Sequence, residues 1–168
     1  FALAFPDTYE IGMSHAGLKV LYHILNAIPG IWAQRAFAPW HDMAEAMRSS
    51  GMELDSLEEK RPLRLFDVVG FSLLYELSYT TVVRMLRLSG IPVHACERSK
   101  SDPIVIAGGT CTVNPTPFEE FFDLIVIGDG EEVVEEMARI CIQTKDRGER
   151  LDAMALIEGV YRPGRQAN

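Results

Sequence analysis

Four short segments carry the residues whose types and spacing allow chemistry: DTYEIG (7–12), SLLYE (72–76), GGTCTVNP (108–115) and GDGEE (128–132). Each follows a brief apolar run and carries carboxylates or hydroxyls, and all but SLLYE include glycine. Gly12, Gly108, Gly109, Gly128 and Gly130 let backbone approach a ligand closely, and N–H groups exposed at helix starts favour anionic groups. Singly, a glycine after a strand is a turn residue; four such segments brought to one rim are a different matter. Asp7, Glu76, Asp129, Glu131 and Glu132 add carboxylates. The last two are explained as negative charge at a helix N-terminus, whereas Asp7 has no such structural excuse. No nucleophile and base pair is identifiable among them. His15 stands at a helix start, where a surface or capping role accounts for it; His23 lies on a helix face, and His41 and His94 lack partners at ligand spacing. Cys96, Cys111 and Cys141 form no C-x-x-C and no zinc or iron–sulfur spacing, which leaves reduced, partly buried thiols and fits a cytoplasmic protein.

The elements that must position these loops are legible from apolar periodicity. Ala2–Phe5, Ile31–Phe37, Phe66–Phe71, Ile104–Gly109 and Leu124–Ile127 are short runs too brief for helices and rich in residues that fit a pleated, buried surface. Between them, Leu18, Leu21, Tyr22 and Leu25 share a helical face, WHDMAEAMRSSG reads as a helix stopped by Gly51, and Tyr79, Val82, Val83 and Leu86 form a third helical face with Ser78 as its cap. Val93–Ala95 is expected as a small edge strand, and 53–64 as a connection over the surface. Thr116 with Pro117 and Glu119, and Asp129 with Glu132, have the spacing of capping boxes. Val133, Val134, Met137, Ile140 and Cys141 face inward on the helix after Asp129; Arg150–Glu158 reads as a last helix, Val160–Gly164 as an extended exit, and RQAN as having nothing to hold it.

Strands alternating with helices at this spacing require a parallel sheet. The expected architecture is α/β and flavodoxin-like (Rossmann-like): five parallel strands in the order 2-1-3-4-5 with helices on both faces and a short C-terminal extension. The strand at Phe66 is then central, and the four loops meet outside the carboxyl ends of the strands, where open α/β sheets bind ligands. One domain over 1–148 is expected, with 149–168 as a helix and exit segment.

Composition narrows the function. Of 168 residues, 48% are hydrophobic and 24% charged, which argues against disorder. A formal charge of −8 speaks against a general nucleic-acid surface. No apolar run approaches the roughly 20 residues that span a bilayer, and no membrane role is expected.

FPDTYEIGMSHAGL, FAPWHDM, FDVVGFSLLYELSYT, IVIAGG and VIGDGEE together resemble the N-terminal cobalamin-binding-like domain of radical S-adenosylmethionine (radical SAM) proteins over nearly the whole chain. The resemblance implies three cofactor-facing loops: Asp-x-His-x-x-Gly, Ser-x-Leu and Gly-Gly. Ser72 and Leu74 match the second, where the family's serine approaches the lower nucleotide of cobalamin, and Gly108 and Gly109 match the third. The first loop departs, keeping Asp7 and Gly12 but placing Tyr9 at the histidine position. An imidazole is a good cobalt ligand; a phenol with a pKa near 10 is a poor one. Two readings stay open: cobalamin bound without a lower protein ligand, or a vestigial pocket in a structural or docking module. A flavodoxin-like or receiver-like ligand-binding domain is a third, against which stand the missing phosphate loop and the missing acidic cluster with lysine. The resemblance further implies a radical SAM barrel in the same polypeptide, joined near Val160, holding the [4Fe-4S] cluster and S-adenosylmethionine; no C-x-x-x-C-x-x-C run is present in this chain, so catalysis is not expected of it alone.

Overall fold

The computed structural model describes residues 1–164. Five parallel strands, β1 (Ala2–Phe5), β2 (Gln34–Phe37), β3 (Val68–Ser72), β4 (Ile104–Gly108) and β5 (Leu124–Val126), lie in the order β2-β1-β3-β4-β5, as expected. A sixth, β6 (Val160–Tyr161), adds antiparallel to β5, with Tyr161 opposite Ile125 and Val160 opposite Val126. Alternation along each strand builds two cores. Ala2, Ala4, Val69, Phe71, Val105, Ala107 and Ile125 face α3 (His41–Ser50) and α4 (Ser78–Leu88). Leu3, Phe5, Val68, Ile104, Ile106, Leu124 and Val126 face α2 (Ala16–Asn26), α5 (Gly130–Gln143) and α6 (Arg147–Met154). Both sheet faces are covered, which is why the strands read as continuous apolar runs.

Several local expectations are corrected. β2 begins only at Gln34, because the Asn26 side chain takes both the N–H and the C=O of Ala33 and ties that segment to the end of α2. Val93–Ala95 is no strand: the carbonyls of Pro92 and Val93 accept from the Arg98 guanidinium, and a single 3-10 turn follows at Ala95–Glu97. At Thr116 no α-helix starts; a 3-10 turn covers Glu119–Phe121, held by buried Phe118 and Phe122, whose rings meet edge to face. Neither proposed cap bond forms, since Leu77 precedes α4 while Ser78 Oγ donates to Tyr75 C=O at 2.6 Å, and Asp129 begins α5 without a side-chain bond. The final helix starts earlier, at Arg147, because Asp146 accepts from the N–H groups of Gly148 and Glu149. The 53–64 connection does not simply run over the surface, for Leu54, Ser56 and Leu63 are buried. Gly51 does end α3, in the left-handed conformation. RQAN lies outside the described residues.

At the amino ends of the strands, buried charge locks the layers together. Asp123 accepts from Arg98 at 2.9 Å, from Arg147 at 2.8 Å and from the Val105 N–H at 2.8 Å. Arg150 donates to Asp67 and to the carbonyls of Thr144 and Cys141, pinning α5 and α6 to the start of β3.

Candidate site at the carboxyl ends of the strands

On the α2/α5 face, alternation puts Val68, Gly70 and Ser72 of β3 beside Ile104, Ile106 and Gly108 of β4, with Ser72 directly opposite Gly108. The residues that would fill the middle of this face are missing their side chains. A Cβ added at Gly70 would meet nothing within 4 Å, and one at Gly108 would meet only Val126 at 3.9 Å. The result is a cavity of about 430 Å³ between the sheet and the helix pair α2 and α5, large enough for a small-molecule group. Leu3, Leu21, Val68, Ile106, Val133 and Met137 make its body apolar, and Ser72, Leu74, Gly108, Gly109, Thr110, Gly128 and Gly130 line it from the strand ends.

Glycine is required where two of these loops meet. The Leu73 N–H donates to Gly108 C=O at 2.7 Å, and the Cys111 N–H donates to Leu73 C=O at 3.2 Å. Gly109 lies between them at φ 112°, and a Cβ there would sit 2.5 Å from Leu73 O. The β3 and β4 loops are thus stitched together at the mouth, with Thr110 Oγ1 also donating to Leu74 C=O.

Six of the nine residues singled out from the sequence therefore come together: Ser72, Leu74, Gly108, Gly109, Gly128 and Gly130. Asp7, Tyr9 and Gly12 do not join them. The chain after β1 forms a one-turn helix, α1 (Tyr9–Gly12). Gly12 is a packing glycine, since a Cβ would come within 2.4 Å of the Phe37 ring, and Tyr9 lays its edge against the same ring with centroids 5.5 Å apart. Asp7 accepts from its neighbour Thr8 N–H and from Tyr75 Oη at 2.5 Å, which bridges the β1 and β3 loops. That bond raises the Tyr75 pKa. Asp7 instead borders a second depression of about 610 Å³ on the α3/α4 side, beside Trp40, His41 and Arg84.

Residues missed as cavity lining include Gly70, Val133 and His15. Gly70 is a glycine inside a strand pattern, a known mark of close approach to backbone, so the signal was present in FDVVGFS. His15 caps α2, its Nδ1 accepting from Leu18 N–H at 3.1 Å, and its ring also reaches the cavity wall. No group of three or more His, Cys, Asp or Glu could hold a metal ion among the described residues. Burial pushes the Cys141 thiol up to about 11, so it stays protonated. Along the carboxyl edge of the sheet the rim is apolar and exposed: Tyr9, Ile11, Trp40, Tyr75, Leu77 and Val113 follow the ends of β1 to β4, with Leu77 83% exposed. Chemically, the arrangement can accommodate an apolar, compact group in the cavity with a polar link at the strand ends. No helix among the described residues is long and apolar enough to cross a membrane.

A family model described as radical SAM proteins, N-terminal, matches residues 17–163. Among solved structures, the chain is similar to the radical S-adenosylmethionine methyltransferase TsrM from Kitasatospora setae, solved with tryptophan substrate and a SAM analog bound. The likeness has a TM-score of 0.57 at 18% identity and covers 96% of this chain. At that identity it shows the fold, and the chain spans only 28% of the TsrM chain. No curated protein matches.

Proposed function

We propose, from the premise that this chain belongs to the family of radical SAM proteins' N-terminal domains, that it is an accessory domain holding cobalamin beside the catalytic domain of the same polypeptide. The observation that carries this reading is the glycine-floored cavity between the sheet and α2/α5, opening at Ser72, Leu74 and the Gly108–Gly109 pair. An apolar trough of about 430 Å³ suits the cofactor's benzimidazole nucleotide. Gly70 would leave space for the base, Leu74 and Val133 would line its site, and Ser72 would offer a hydroxyl. When bound, the cofactor supplies a cobalt centre able to carry a methyl group or an organometallic intermediate. Tyr9 packs on Phe37 outside the cavity, so it would not serve as a ligand to a cobalamin held there.

The exposed rim then faces the catalytic domain, which holds the cluster and S-adenosylmethionine. Residues 1–148 form the ligand-holding unit and 149–168 lead onward. β6 runs back toward the amino ends of the parallel strands. A catalytic domain that faces the rim therefore needs a connector climbing the sheet, about 15 Å or at least about five extended residues.

Titration with hydroxocobalamin followed by gel filtration tests the reading. Colour is expected to travel with the wild-type protein and not with Ser72→Tyr, whose ring would occupy the mouth. Colourless wild-type protein at high cofactor concentration would favour the second reading, a docking module with a vestigial pocket. The observation on that side is the separation of Asp7 and Tyr9 from the cavity.

A further inference from the structure

His15 is poised as a hydrogen-bond donor, and the reason lies in its own helix. Its Nδ1 accepts from the Leu18 N–H at 3.1 Å, so Nδ1 carries a lone pair and the proton of the neutral ring sits on Nε2. The ring is held in place: Phe5 packs against it with centroids 5.2 Å apart, and Gly17 leaves the room it needs, since a Cβ there would come within 2.9 Å of Cε1. His15 is also one of the residues that line the cavity between the sheet and α2/α5.

The other polar side chains on the cavity wall leave few donors. Asp129 and Glu131 are acceptors when ionised, and Thr110 spends its proton on Leu74 C=O. Among the described residues, Ser72 and His15 are the lining residues whose side-chain donors, Oγ and Nε2, have no protein partner. An apolar-bodied ligand that carries acceptor oxygens is the kind such a wall recognises.

Resting on the cobalamin reading above, we propose that His15 donates Nε2–H to a phosphodiester or ribose oxygen of the cofactor's nucleotide loop. It is a specificity residue for the tail and not a cobalt ligand. To ligate through Nε2 the ring would have to move its proton to Nδ1 and abandon the α2 cap, which its geometry opposes. His15 would thus give the domain a preference for the complete cofactor over cobinamide, the analogue that lacks phosphate, ribose and base.

The test uses the 168-residue chain, hydroxocobalamin and aquocobinamide, with visible absorbance as the binding signal. His15→Asn and His15→Ser both retain a side chain that caps a helix. They are expected to melt as wild type does, to weaken hydroxocobalamin binding about five- to tenfold, as loss of one hydrogen bond does, and to leave cobinamide binding and the spectrum of bound cobalamin unchanged. If both variants bind hydroxocobalamin as tightly as wild type while wild type still prefers it to cobinamide, His15 has no such role and the cobalamin reading stands. A changed spectrum of bound cobalamin in the variants would also overturn the proposal, because it would make His15 a ligand. Wild-type protein that binds hydroxocobalamin no better than cobinamide, or not at all, would overturn both.

Discussion

The two ends of this sheet are built from opposite materials. At the amino ends of the strands, Asp123, Arg98 and Arg147 form a buried triad, and Arg150 clamps Asp67 and two carbonyls. At the carboxyl ends, no salt bridge joins the loops after the strands among the described residues; glycines, hydroxyls and exposed apolar side chains stand there instead. One end commits Arg98, Asp123, Arg147 and Arg150 to partners inside the chain. The other leaves space and uncommitted groups, which is what a site needs and what stability alone would not select.

If that division is right, stability and binding respond to different substitutions. The largest stability loss is expected from Asp123→Ala, which leaves the Arg98 guanidinium, fully buried, without its counter-charge. Breaking one partner of a buried pair costs about 3–5 kcal/mol. Urea unfolding measures the loss, and any protein that remains folded should bind at the rim unchanged. An equal loss of affinity in the folded fraction would break the comparison.

Gly109→Ala sharpens it from the other side. The new Cβ would meet Leu73 O and would sit at a φ of 112°. The expected cost is about 2–3 kcal/mol. Because Gly109 joins the β3 and β4 loops at the mouth, this variant alone should lose both stability and affinity.

A smaller effect concerns acid. Burial raises the Asp67 pKa, but the hydrogen bond and charge of Arg150 outweigh it, and the carboxyl titrates below its ordinary value. A depressed folded-state pKa gives stability that is complete above the unfolded value, about 4, and is lost as pH falls through the folded value. Unfolding free energies at pH 5 and pH 3 should therefore differ less in Asp67→Asn than in wild type; an identical difference would remove the Arg150 contact from the ledger of the amino end.

Smallest of all is Tyr9→Phe. The ring edge on Phe37 is retained and the hydroxyl does not line the cavity, so cofactor affinity should stay within about twofold and stability within about 0.5 kcal/mol. A larger loss of affinity would return the first loop to the site.

Much of this was legible before the coordinates. A parallel sheet follows from the alternation of apolar runs with helical faces, the flavodoxin-like order expected for it is the one found, and the loops at Ser72, Gly108 and Gly128 do converge. What the sequence hid is geometric. DTYEIG reads as one more rim loop, yet it folds into a turn of helix whose Gly12 and Tyr9 both serve the Phe37 ring, a contact made across strands and invisible to spacing. Capping boxes at Asp129 and Thr116 have the right residues, yet α5 starts without an Asp129 side-chain bond, and after Thr116 buried Phe118 and Phe122 bracket a 3-10 turn in place of a helix. The sixth strand is only two residues long, too short for any pattern. Gly70, inside the central strand, is the one sequence signal that points to the cavity floor.

Gly70 also offers the most direct measurement. In Gly70→Phe the ring would project into the cavity from a strand position where an added Cβ meets nothing within 4 Å, and an aromatic residue suits a strand better than glycine. Hydroxocobalamin affinity and urea unfolding would be measured on the same preparation of wild type and variant. Binding weakened by tenfold or more, with unfolding unchanged or shifted to higher urea, is the result expected of a cavity kept open for a ligand. Unchanged affinity in a folded variant would contradict it, and the cofactor, if bound at all, would have to lie elsewhere on the rim.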